Sequence, residues 1–271
     1  MPMAGLTKRF SAQSGSEPAS EDWGRPILFL LGVPGQSPRT PEQKKKGVAR
    51  ATRTRVELET RICRRWTMLA EALNHLLNNV LPAARDYERA EEELSAAFAR
   101  NAEPQSWITE GQQAKRRAAE VAIAIDGLAD RAAPALGLTP DEVRRKVGQR
   151  CILDTAHRPG CIDRVCAVAN AYKHAGPLRT KHPITSESDV LATGAGYGVD
   201  AFGAGKFSGV EVLVNQKDGT VRKFLADVPW AVAGWFRFLA DHGAAIPSED
   251  YVLCSLRVHS DAPPKAASAG P

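Results

Sequence analysis

The sequence predicts an α+β protein: an antiparallel helical half packed on a small antiparallel β-sheet, with a C-terminal aromatic helix. Three observations carry this. Apolar residues keep helical spacing over most of residues 56–150. Two β-branched runs, Val210–Asn215 and Thr220–Leu225, flank Gln216-Lys217-Asp218-Gly219, and Asp-Gly is a hairpin turn signal. Trp230–His242 holds Trp235, Phe236, Phe238 and Leu239 between Pro229 and Gly243, which reads as a helix opened by Asp227-Val228-Pro229.

The helical half is read element by element. Val56, Ile62, Trp66, Leu69, Leu73 and Leu76 define a first helix that stops at Pro82. Ala83–Asn101 follows, with Tyr87, Leu94 and Phe98 inward and Glu91-Glu92-Glu93 outward. Trp107–Leu136 is third, with Ile108, Val121, Ile123, Ile125 and Leu128 as its apolar set. Thr139-Pro140-Asp141-Glu142 begins a fourth that runs to about Arg150, with Thr at the cap, Pro in the first turn and acids on the positive end of the dipole. In the β half, Asp189–Ala192 reads as a short strand. A glycine-rich run, TGAGYGVDAFGAGKFSG, follows it and presents a strand face bare of side chains, suited to close helix packing. Tyr251–Leu256 reads as an edge strand. The domain plan is a mostly disordered 1–43 with the apolar run PILFLLGV as a docking strand, a helical half 44–176, a sheet with its covering helix 177–258, and a disordered tail 259–271.

Composition narrows the function classes. The chain has 271 residues, 43% hydrophobic and 25% charged, which is ordinary for a globular protein. No run approaches the about 20 apolar residues of a membrane span, so a cytoplasmic protein with no membrane contact is expected. The five cysteines are expected as free thiols, because their number is odd and no signal peptide is visible. Cys151, His157, Cys161 and Cys166 lie close in sequence but lack the short Cys-x2–4-Cys spacing of zinc modules, so no metal and no cofactor is expected. GVPGQS at Gly32–Ser37 lacks the Gly-Lys-Ser/Thr of a phosphate loop, and the glycine run fits no dinucleotide fingerprint. Lys44–Arg65 carries nine Lys/Arg against Glu57 and Glu59, and is the expected contact for any nucleic-acid partner.

The stretch that joins the two halves is Cys161–Pro183. Ile162, Val165, Cys166, Ala169 and Tyr172 form one face of a helix that Gly176-Pro177 stops. Asp163, Asn170 and His174 lie opposite, Asn170 and His174 being four apart and therefore neighbours. His174 is expected in the last turn, with Lys173 beside it. Asn170 and His174 are expected to face the glycine-rich strands, where Asp200 and Lys206 are the candidate binding residues together with Lys173, and Asp200 is the expected hydrogen-bond partner of His174.

The segment VANAYKH, with Arg164 upstream, resembles the signature helix of the HEPN superfamily, helical-bundle proteins that are often metal-independent ribonucleases. The resemblance implies His174 as general acid/base, with Asn170 and Arg164 in the same motif. Arg164 stands ten residues before His174, about 15 Å along a helix, so the two share no site within one chain. A second copy in a homodimer could supply Arg164 or Lys173, and Arg179 is a cation within the same chain. VANAYKH with downstream YGVD, GAGKF, VEVLV and KFLAD also resembles bacterial α+β proteins of the same layout, a resemblance that brings no activity. Two functions follow as expectations: a binding or interaction protein of a bacterial regulatory or defence locus, or a HEPN-like ribonuclease using His174.

Overall fold

The computed structural model describes residues 69–174, 181–195 and 209–259, all within one unit, 53–271. The basic run, PILFLLGV, Arg179, Asp200, Lys206 and the tail lie outside the described residues. Among the described residues, five helices and three small antiparallel sheets confirm the α+β class. Among the described residues no helix is long and apolar enough to cross a membrane.

The chain is helical from residue 69 without a break at Pro82. A π turn, Leu76–Val80, leads directly into α1, Leu81–Arg100. The expected break fails for a local reason. Proline lacks an N–H and its ring crowds the carbonyl four residues back. The wider π turn, with Leu81 N–H donating to Leu76 O, carries the ladder up to the proline. Helix α2, Ile108–Leu136, packs on it and ends on Gly137 in the left-handed region (φ 64°), which glycine adopts without strain. Two expected core residues of α2, Ile108 and Ile123, are exposed. The buried stripe is Ala114, Ala118, Val121, Ala122, Ile125, Leu128 and Ala132, and Ile123 is out of phase with it.

Helix α3, Pro140–Gly148, is held by a full capping box. Thr139 Oγ1 accepts from Glu142 N, and Glu142 Oε2 accepts from Thr139 N at 2.8 Å. Two short strands follow, β1 Ile152–Leu153 and β2 Ala156–His157, a hairpin the sequence did not announce. Helix α4, Cys161–Lys173, packs on α2 and α3. The main sheet is β3 Val190–Ala195, β4 Gly209–Asn215 and β5 Val221–Lys223, antiparallel in that order. The hairpin register pairs Leu213 with Lys223 and Asn215 with Val221 around Gly219 (φ 81°). Most of the glycine-rich run lies outside the described residues; among those described, a close helix–sheet approach is made by a glycine of the helix. A Cβ on Gly111 of α2 would lie 3.3 Å from Ala192 Cβ, whereas one on Gly194 would meet nothing within 4 Å.

The second strand of the hairpin ends at Lys223, two residues earlier than expected, and α5 occupies Phe224–Asp241. This helix is apolar almost all round. Phe224, Ala231, Val232, Trp235, Phe236, Phe238 and Leu239 are buried, so α5 lies inside the core. It touches α4, α3, β4 and the final hairpin, β6 Tyr251–Leu253 and β7 Leu256–His259, where a single edge strand was expected.

Glu91 corrects a second expectation. It is fully buried, because it lies four residues after Tyr87 and three before Leu94, on their face. Its Oε1 accepts from Tyr87 Oη (2.8 Å) and from Val212 N (2.9 Å), at a point of β4 that β5 does not reach. Burial, then Glu91, pushes the Tyr87 hydroxyl far above its usual range and keeps it protonated as a donor.

Candidate functional site

A cleft of about 740 Å³ opens between α3, the β2–α4 turn, the outer face of α4 and the segment Lys181–Pro183. Each wall has a local cause. Val143 and Val147 fix the rotation of α3 by pointing into the core, which leaves Asp141, Arg144, Arg145 and Gly148 along the cleft. Gly160 (φ 71°) caps α4 with no side chain, so the N-terminal end of that helix, with Ile162 and Asp163, borders the cleft. A helix N-terminus carries partial positive charge and favours anions. Lys217 N–H donates to Pro183 O (2.8 Å), tying the Lys181–Pro183 wall to the main hairpin's turn.

Three histidines line this space: His157, His174 and His182. His157 Nε2 contacts Gly148 O at 3.2 Å. His174 is exposed and is the extended C-cap residue of α4, its N–H donating to Asn170 O. The helix thus ends at Lys173, and His174 lies beyond the last turn. His174 was expected to be fixed by a hydrogen bond in the β half. Among the described residues its ring makes none, and the expected partner Asp200 lies outside them. Burial, reinforced by Lys181 and Lys217, lowers His182 below its usual range, which keeps it neutral at pH 7.

The cations differ in how far they are committed. Buried Asp126 of α2 accepts from Arg144 Nε (2.9 Å) and Lys173 Nζ (2.9 Å). Arg144 Nη1 and Lys181 Nζ both donate to the Asp141 carboxylate, each at 2.9 Å. Arg145 is exposed and makes no ion pair or side-chain hydrogen bond with any described residue. Against the three cations Arg144, Arg145 and Lys181 stand two lining carboxylates, Asp141 and Asp163. The surplus positive charge therefore falls on Arg145.

The residues singled out by sequence separate. Asn170 and His174 share the cleft, with Asn170 Nδ2 donating to Cys166 O (2.7 Å). Lys173 points to Asp126. Arg164 is buried on another face of α4 and grips Asp227 of α5, Nε to Oδ2 at 2.8 Å and Nη2 to Oδ1 at 2.7 Å. Arg158 joins it, Nε to Asp227 Oδ1 at 2.6 Å, with its guanidinium 5.8 Å from the centroid of the Trp230 ring. Cys151, Cys161 and Cys166 are buried thiols, and burial pushes Cys161 and Cys166 well above the usual thiol range. Sequence reading missed Arg144, Arg145, Lys181 and His182 as one site. The phase of α3 was a usable signal. What brought Lys181 and His182 opposite it was the path of the chain after α4, which has no periodicity to read.

The chain matches no protein-family model, no curated protein and no solved structure.

The histidine environments make a pH prediction. His75, which contacts Ala124 O through Nε2 at 2.9 Å, is lowered chiefly by burial, with Arg131 adding to the shift. His182 is shifted the same way. As pH falls through about 6.5 the unfolded chain takes up these protons before the folded one, so stability declines there and keeps declining until the folded groups titrate. Melting temperature should fall from pH 7.5 to pH 5.5, and His75→Gln should flatten that slope. An unchanged slope in His75→Gln would remove His75 as a contributor.

Proposed function

We propose that this chain is a binding protein whose cleft takes a small phosphorylated ligand. One observation carries the reading: Arg145, exposed and without a partner among the described residues, shares a cleft with three histidines and with the end of α4 that attracts anions. A phosphate there would accept from Arg145 and the histidines. Inorganic phosphate is the probe. It should raise the melting temperature of the full chain. Arg145→Ala combined with His174→Ala should melt as wild type without ligand, since both side chains are exposed, and should bind phosphate at least about tenfold more weakly. A phosphate response unchanged in this variant would reject the cleft as the binding site.

A second reading, a HEPN-like metal-independent ribonuclease, is supported by His174 and His182 lining one cleft. His182, neutral at pH 7, would act as base and His174 as acid, with Arg145 beside the phosphodiester. Arg164 has no part in it, being bound to Asp227. RNA would be drawn in by the basic run Lys44–Arg65. Cleavage of single-stranded RNA that His174→Ala removes without changing the melting temperature would favour this reading over the first.

A further inference from the structure

We propose that Asp141 is a built-in competitor for the cleft's cations, and that the cleft consequently selects a dianionic phosphomonoester, which displaces the Asp141 carboxylate. This inference rests on the phosphate reading of the cleft and deepens it.

The geometry begins at Arg144. Its Nε and Nη2 both meet buried Asp126, which fixes the guanidinium plane, and its Nη1 is left pointing to Asp141 Oδ1. Lys181 reaches the other oxygen, Oδ2, across the cleft from the opposite wall. A single carboxylate therefore occupies two donors from two walls. These contacts hold Asp141 below the usual carboxylate range, the Lys181 hydrogen bond first and Arg144 after it. The fold does not need this carboxylate to cap α3, because Thr139 and Glu142 already close the capping box. The Asp141–Lys181 pair is also open to water, with side chains 67% and 55% exposed, and ion pairs so exposed hold weakly. Asp141 is thus a replaceable anion, held on one side by Arg144, which Asp126 positions without it, and on the other by the exposed Lys181.

The identity of the replacement follows from charge and oxygen count. A phosphodiester offers two terminal oxygens and one negative charge, the same as the carboxylate, so exchange gains nothing at these two donors. A phosphomonoester offers three terminal oxygens and nearly two charges. It can take both donors from Asp141 and still present an oxygen to Arg145 or a histidine. The displaced carboxylate turns to solvent, where its charge is hydrated.

Titration calorimetry on the full chain with methyl phosphate and dimethyl phosphate tests this, comparing wild type with Asp141→Asn and Asp163→Asn. Each substitution removes one lining negative charge, but only Asp141→Asn frees two donors. Expected are binding of methyl phosphate by wild type with dimethyl phosphate at least about tenfold weaker, and a gain for Asp141→Asn of about tenfold or more that Asp163→Asn does not share. Lys181→Ala, at an exposed position, should lose methyl phosphate affinity and serves if Asp141→Asn is poorly folded. Equal gains in the two Asp→Asn variants would show a general field effect and overturn the competitor role. Equal affinity for the two esters would overturn the selectivity. Absence of methyl phosphate binding in wild type and in Asp141→Asn would overturn the phosphate reading itself, and this inference with it.

Discussion

Asp227→Ala is expected to lower the stability of the fold by about 3–5 kcal/mol, much of the total of a domain this size, because it takes a shared carboxylate from two buried guanidiniums. Asp227 is fully buried and accepts from Arg158 Nε, Arg164 Nε and Arg164 Nη2. Burial alone would lower the Arg164 pKa, yet Asp227 outweighs it and the value is raised, so the guanidinium stays charged in the native state. Without the carboxylate that charge has no anion beside it. Arg158 keeps its bond to Lys223 O at 3.3 Å, and Arg164 keeps Pro159 O at 3.1 Å, but neutral carbonyls do not replace a countercharge. Urea unfolding measures the loss. A contrasting variant isolates the cause. Replacing all three residues together, Arg158→Met, Arg164→Met and Asp227→Leu, removes the charges as well as their partner. It should recover most of the stability, since buried ion clusters are often no better than apolar packing. A single Asp227→Ala variant within about 1 kcal/mol of wild type would contradict the buried triad.

The second large effect is expected at Gly234, in the middle of α5. An added Cβ would lie 2.7 Å from Cys151 Sγ, 3.2 Å from Val147 O and 3.4 Å from Cys151 N. Alanine improves helix propensity by up to about 1 kcal/mol. Overpacking against a fixed backbone costs about 1–3 kcal/mol, and the Val147 and Cys151 contacts are backbone atoms that end α3 and cannot turn aside. The clash wins, and Gly234→Ala should be destabilising by up to about 2 kcal/mol in chemical denaturation. Combined with Cys151→Ala the penalty should shrink, because the nearest atom is gone. Strictly additive losses in that double-mutant cycle would place the strain elsewhere.

Both sites show where sequence reading stopped. Asp227 reads as a helix-opening acid before Val228-Pro229, and α5 does begin close by. That its carboxylate is the anchor for two arginines 63 and 69 positions earlier depends on α4 and α5 crossing, which no local pattern encodes. Glu91 reads as one of three outward acids. Its phase with Tyr87 and Leu94 contained the correct answer, but hydrophobic periodicity treats a carboxylate as solvent-facing unless a buried partner is known, and that partner is the backbone of Val212, 121 positions away. Asn170 and His174 were legible as a polar pair on α4, and they do border one cleft. The direction they face was not, because nearly every other position of α4 is buried and its apolar residues do not form a single stripe.

The sequence by itself determined the α+β class, the capped start of α3, the Gln216–Gly219 hairpin and the polar pair on α4. Each of these depends on interactions within a few residues: a hydroxyl on a nearby N–H, a glycine in a turn, side chains one helical turn apart. Only the tertiary structure decided that α5 lies within the core, and that Arg144, Arg145, Lys181, His157, His174 and His182 surround one cleft. Those outcomes were settled by the packing of elements distant in sequence. There the burial of α5's apolar surface outweighs local preference, and polar groups are placed wherever the helices that carry them come to rest.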